Sequence, residues 1–152
     1  MKIIVSACLL GYNVKYDGNN NYNEELVKFL ENYEVISVCP EVMGGLNTPR
    51  VSSEIVNNKV ITKEGMDVTN AFTLGASKTL EIAKENDIKV AILKKNSPSC
   101  GNNTIYDGTF THTIITGDGI TAKLLKENGI IVLDEDNYKE YFKELKWRIR
   151  RN

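Results

Sequence analysis

An α/β fold on a mainly parallel sheet is what this sequence predicts, from three observations. Short apolar, β-branched runs at residues 2–7, 34–38, 88–93 and 130–133 have the composition of strands covered on both faces. Stretches with helical spacing of apolar residues alternate with them, the order that produces right-handed crossovers and a parallel sheet. The 152 residues suffice for one core without disulfide or metal support, so residues 1–152 are expected to form a single domain. With 41% apolar and 26% charged residues, disorder and coiled coil are excluded as readings.

The first run, residues 2–7, leads directly into Cys8. Val5-Ser6-Ala7-Cys8 resembles a lipoprotein cleavage box, but only Ile3, Ile4 and Val5 precede it where a signal core needs roughly 7 to 15 apolar residues, so a buried strand is the better reading. The loop 9–22 carries Asp17-Gly18 and three consecutive asparagines, all turn formers. Asn23 is placed to cap a helix through Leu26, Val27 and Leu30, and strand 34–38 then ends at Cys39-Pro40. Two glycines and a proline mark 41–50 as an irregular loop, and 53–62 reads as a hairpin around Asn57-Asn58.

Asp67 is expected to cap a long helix with Val68, Phe72, Ala76, Leu80 and Ala83 on one face, where Gly75 permits close approach to the sheet. Strand 88–93 runs into a polar loop, 94–110, followed by a short strand at 113–116, a helix at 121–128 and a last strand at 130–133. Asp134 opens the final helix, with Tyr138, Tyr141, Phe142, Leu145 and Ile149 on its apolar face.

Nineteen basic and twenty acidic side chains leave a formal charge of -1, so no global field attracts nucleic acid or an acidic membrane. No apolar stretch approaches the ~18 residues of a membrane span. Three cysteines cannot pair off within one chain, which favours a reducing, cytoplasmic setting.

Those cysteines carry the chemical argument. Cys8, Cys39 and Cys100 each lie in a loop leaving the C-terminal end of an expected parallel strand, the edge where such sheets bind ligands. Each alone also suits packing as a small hydrophobe, but three converging thiolates suit a soft metal centre. Three thiolates on a 4Fe-4S cube leave one iron open, a Lewis acid for a sulfur or oxygen of a small molecule. Zinc held by the three cysteines and His112 is the competing metal reading, with His112 otherwise an ordinary core or surface residue.

Glu41, two residues past Cys39, is either a general acid or base or a solvated loop carboxylate. Ser97 and Ser99, just before Cys100, either bind substrate or water or serve the turn. Arg50 is placed to contact a substrate carbonyl or anion, or to lie on the surface, and Asp17 belongs to a tight turn, with a place facing the site as the alternative. Gly117-Asp118-Gly119 before a helix suggests a phosphate-binding turn without the third glycine of the dinucleotide fingerprint. The basic end, Lys143 to Arg151, reads as a solvated helix terminus, with RNA contact as the alternative.

Taken together, Val5-Ser6-Ala7-Cys8-Leu9-Leu10-Gly11, Tyr16-Asp17-Gly18, Cys39-Pro40-Glu41 through Gly44-Gly45-Leu46 to Thr48-Pro49-Arg50, Ser97-Pro98-Ser99-Cys100-Gly101 and Tyr106-Asp107-Gly108-Thr109-Phe110 resemble the bacterial family catalogued as domain of unknown function 523, which includes thiouracil desulfurases. The resemblance implies a Rossmann-like, three-layer single domain carrying a 4Fe-4S cluster on Cys8, Cys39 and Cys100, with the fourth iron open to a thiocarbonyl sulfur. It also implies catalytic roles for Glu41 and Ser97. The expected partner is a small thiolated molecule, such as 2-thiouracil, whose C=S becomes C=O. A non-catalytic metal or redox sensor and a tRNA-associated thionucleoside enzyme are the alternatives.

Overall fold

The computed structural model describes residues 1–151. In chain order its elements are β1 (Lys2–Ser6), α1 (Glu24–Phe29), β2 (Glu34–Val38), α2 (Pro40–Met43), β3 (Ser53–Val56), β4 (Lys59–Thr62) and α3 (Thr69–Glu85). There follow β5 (Val90–Ile92), β6 (Thr104–Tyr106), β7 (Ile114–Thr116), α4 (Ile120–Glu127), β8 (Ile131–Leu133) and α5 (Tyr138–Arg151).

Four strands form the central sheet in the order β2-β1-β5-β8, all parallel, with Ile4 paired to both Ile36 and Ala91. Successive strand residues serve opposite faces, as the pleat requires. Ile4, Ala91, Leu93 and Val132 pack with Ala83, Ala122 and Leu125 of α3 and α4. Ile3, Val5, Val90, Ile92 and Leu133 pack with Leu26, Tyr138 and Phe142 of α1 and α5. This is the three-layer arrangement expected, and it explains why β1 reads as an unbroken apolar run: both of its faces are covered. The chain leaves β1 for β2 on one side and returns to β5 on the other, so the order reverses at β1 and opens a crevice at its C-terminal end.

Local chemistry explains most boundaries. The Asn23 side chain accepts the Leu26 N–H at 3.0 Å and caps α1. Asn57 and Asn58 take the left-handed φ values of 51° and 66° that a two-residue hairpin turn requires, joining β3 to β4. Asp67 accepts the Thr69 N–H at 2.9 Å, and α3 begins at Thr69, one residue later than that cap suggests.

Five expectations are corrected, the first being the start of the last helix, which falls at Tyr138 rather than at Asp134 because residues 135–137 form a turn. Residues 41–50 are not wholly irregular, because Pro40 at the first helical position starts the one-turn α2. Gly75 approaches α2 rather than the sheet: a Cβ there would lie 1.8 Å from the Pro40 carbonyl oxygen, and one on Gly44 would lie 1.9 Å from that of Ala71. The polar loop after β5 contains a strand, β6, which pairs antiparallel with β7. Ile149 leaves the apolar face of α5 and is 66% exposed, as the last turns run beyond the aromatic cluster of Phe29, Tyr33 and Phe142 that the helix covers.

Candidate active site

Each cysteine is delivered by the end of a sheet strand. A 3-10 turn, Ala7–Leu10, follows β1 and carries Cys8, whose carbonyl accepts the Asn21 N–H at 2.9 Å and so folds the asparagine-rich loop back over the crevice. Cys39 directly follows β2, keeps extended geometry just ahead of α2 and accepts the Met43 N–H on its carbonyl at 2.9 Å. The loop after β5 carries Cys100, whose N–H donates to Ser97 Oγ at 2.7 Å. Because β2, β1 and β5 are adjacent, Cys8, Cys39, Cys100, Glu41, Arg50 and Ser97 line one cavity of about 480 Å³.

The thiols are free and sheltered. Burial pushes the Cys8 and Cys39 thiols above the ordinary range, and it pushes Cys100 up to about 12. Asn21 and the positive charge of Lys94 act against burial at Cys8, and the Ser6 side chain does so at Cys100. Left to themselves these sulfurs stay neutral; a bound cationic centre is what converts such thiols to thiolates.

Glu41 is tied in place by Arg50. Its Oε1 accepts from Arg50 Nε at 3.0 Å with both side chains largely buried, and burial raises its carboxyl above the usual range despite the guanidinium. Arg50 also donates to Val14 O at 2.8 Å, Thr48 Oγ1 at 3.0 Å and Asn47 O at 3.2 Å. Four of its five N–H donors are spent on the protein, so it acts chiefly as a brace rather than the free substrate clamp that one reading of the sequence allowed. The same Val14 carbonyl receives the Cys39 thiol at 3.9 Å, so one backbone group joins the thiol, the arginine and the loop after β1.

The two serines separate. Ser97 lines the cavity, whereas Ser99 is 1% exposed and its hydroxyl pairs with Thr121 at 3.0 Å, on the side of α4. His112 lines the cavity from the loop between β6 and β7, exposed and edge-on to Tyr106. Among the described residues no three His, Cys, Asp or Glu side chains close around a point that would hold a single metal ion, so the zinc site of three cysteines and His112 is not formed.

The phosphate reading of Gly117-Asp118-Gly119 is also overturned. Asp118 accepts from the Asn103 N–H at 2.8 Å and from Lys126 at 2.9 Å. The N–H groups of Gly119, Ile120 and Thr121 donate to the carbonyls of Gly101, Pro98 and Ser99. Asp17 is exposed and bonded to the Asn19 N–H, outside the cavity lining. The basic end of α5 is solvated, with Arg148 paired to Glu144 and Arg151 over the Trp147 ring.

Among the cavity residues that escaped the sequence reading are Ser6, Asn21 and Lys94. Ser6 hid inside an apolar strand, though a buried hydroxyl two residues before a candidate ligand is the signal that marks it. Asn21 was absorbed into a run of turn formers. Lys94 reads as a loop cation, but its Nζ lies 2.8 Å from Glu135 Oε2, a partner at the end of β8 that sequence spacing does not reveal.

The donor chemistry fits an iron-sulfur cluster better than a lone ion. The sulfurs belong to one cavity without closing on a point, as sulfurs bound to different irons must do, and the cavity as a whole is of the size that takes a small organic ligand. No helix among the described residues is long and apolar enough to cross a membrane.

Comparison with known proteins agrees with this geometry. The solved structure of the 4Fe-4S-dependent thiouracil desulfidase TudS matches with a TM-score of 0.89 and 41% identity, over 96% of this chain and 98% of that one. The uncharacterized protein YbbK of Bacillus subtilis (strain 168) is 40% identical over 148 residues, 91% of this chain and 98% of that protein. The family model for 2-thiouracil desulfurase matches residues 3–137, from the first strand to the threshold of the last helix, and the chain belongs to that family.

Proposed function

We propose that residues 1–152 act as one cytoplasmic desulfurase unit that hydrolyses the thiocarbonyl of a small molecule such as 2-thiouracil, with Cys8, Cys39 and Cys100 as ligands of a 4Fe-4S cluster and Glu41 and Ser97 as catalytic residues. The observation that carries this reading is the meeting of those five side chains on one cavity at the reversal point of the sheet. The family membership and the likeness to TudS support it.

When bound, a cluster with one iron free of protein sulfur supplies a soft Lewis acid for a thiocarbonyl sulfur. Hydrolysis adds the oxygen of one water to the C=S carbon, sends both water protons out with sulfur as hydrogen sulfide, and transfers no net electrons. Glu41 is suited to take the first proton from water: Arg50 holds Oε1, Oε2 has no protein donor in hydrogen-bond reach among the described residues, and burial raises its basicity. Ser97 receives the Cys100 N–H on its oxygen, which leaves its own O–H to donate to the developing carbonyl oxygen. Lys94, held by Glu135, lines the same cavity and would place a cation beside the bound substrate.

Anoxic reconstitution with iron and sulfide tests the reading. The expected product is a brown protein that converts 2-thiouracil to uracil with equimolar sulfide, and Cys8→Ala should lose both colour and turnover. A colourless but fully active C8A enzyme refutes it. Colour without turnover of any thiolated base supports the sensor, and selective retention of RNA supports the tRNA-associated enzyme.

A further inference from the structure

The β6–β7 hairpin presents aromatic side chains to the cavity that holds the cysteines: Tyr106 and Phe110 line it, with Tyr16 from the loop after β1. Phe110 is half-buried and has φ 59°, a left-handed conformation that a bulky residue adopts only when its surroundings force it. The force is visible. Glu54, a 7% exposed carboxylate on β3, accepts the Gly108 N–H at 2.9 Å and the Phe110 N–H at 3.1 Å through one oxygen. Gly108, at φ 92°, passes so close to β3 that a Cβ would meet the Ile55 carbonyl oxygen at 2.8 Å. On the other side of the turn, the Asp107 N–H donates to Thr113 O at 2.9 Å, and the hydroxyls of Thr109, Thr111 and Thr113 are linked in series.

A buried carboxylate and a strained backbone thus hold one phenylalanine beside the cavity, when an apolar ring with no task would gain more by joining the core. We propose that Phe110 is the specificity-determining residue of this site, stacking on the face of a planar heteroaromatic thiocarbonyl, and that Glu54 is the residue that positions it. An aromatic ring matches a pyrimidine in shape and in its π face, whereas an acyclic thioamide offers little to stack on. The assignment rests on the function proposed above and adds the group that selects a ring over a chain.

The test compares 2-thiouracil with thioacetamide on reconstituted enzyme, and measures uracil as a competitive inhibitor. Phe110→Ala should raise KM for 2-thiouracil and Ki for uracil about tenfold and lower the ratio of kcat/KM for 2-thiouracil to that for thioacetamide, and Phe110→Trp should restore both. Glu54→Ala should reproduce the loss for the ring substrate, and Glu54→Gln, whose amide oxygen still accepts both N–H groups, should recover most of it. Equal losses on both substrates, or no change in uracil Ki, for a folded F110A overturn the assignment, and if F110A folds poorly an F110W enzyme without wild-type selectivity overturns it. Wild-type enzyme that turns over no thiolated base overturns the proposed function itself, a result distinguishable from an active wild type with an unselective F110A.

Discussion

Replacing Gly75 with alanine tests how the fold holds two of the site residues. In an exposed helix interior this change stabilises a protein by about 1 kcal/mol, because alanine is the better helix former. Here the new Cβ would lie 1.8 Å from the Pro40 oxygen and 2.7 Å from its carbon, both backbone atoms that cannot rotate aside. Ordinary contact begins at 3.4 Å, so α2 and α3 must part by roughly 1.6 Å. Overpacking of this kind costs about 1–3 kcal/mol, and the upper end applies because Gly44, which caps the end of α2, meets Ala71 on α3 just as closely. Net of propensity, G75A should lose about 2 kcal/mol in urea unfolding. Pro40 lies between Cys39 and Glu41, so the shift reaches the site, and a displacement of about 1 Å should lower desulfuration by about a hundredfold. Ser77→Ala, on the exposed face of α3, is the control and should be neutral or slightly stabilising. A G75A protein more stable than wild type with unchanged turnover would refute the reasoning, since Gly75 would then be an ordinary helix glycine.

Three further perturbations separate roles that lie close together. Ser97→Ala removes the acceptor of the Cys100 N–H and the free O–H in the cavity, so kcat should fall with stability, whereas Ser99→Ala should cost about 1 kcal/mol through its lost bond to Thr121 and leave kcat intact; steady-state kinetics and thermal unfolding of both variants decide it. Arg50→Met leaves a largely buried carboxylate without its partner and should destabilise the protein by about 3 kcal/mol in chemical denaturation. Asp67 is held below the usual carboxylate range by the Thr69 side chain and amide, so its charge contributes stability above the unfolded pKa, and that contribution disappears as pH falls through the lower folded value. Asp67→Asn should therefore lose less stability than wild type on acidification, as read from urea midpoints across the acid range.

The sheet was legible because its strands are covered on both faces, which forces unbroken apolar runs such as Ile3-Ile4-Val5. The meeting of the cysteines was legible for a topological reason: right-handed crossovers place every strand end on one edge, so residues 31 and 61 positions apart in sequence become neighbours without any local motif. What escaped depends on contacts between distant elements. Gly75 announced close packing, but nothing in its helix names Pro40 as the group it meets. Three-residue β6 is too short for a period to register, and it exists through pairing with β7. Ile149 continues the spacing of Tyr138, Phe142 and Leu145, yet a helix outruns the surface it covers without any change in its pattern.

The Gly117-Asp118-Gly119 turn shows why a motif needs its surroundings. In a doubly wound domain a helix N-terminus beside the sheet edge offers unpaired N–H groups to a phosphate. The start of α4 has the same elements, but its first N–H groups are taken by the carbonyls of Pro98, Ser99 and Gly101, and Gly119 lies so close that a Cβ would meet Ser99 at 2.5 Å. Those carbonyls belong to the segment that carries Ser97 and Cys100. The dipole end that binds an anion in a nucleotide site is here used to fix a loop, and the reversal point of the sheet is left to sulfur. A side chain at residue 119 should therefore disturb Cys100 rather than any phosphate, because a Cβ there would lie 2.8 Å from the Cys100 nitrogen.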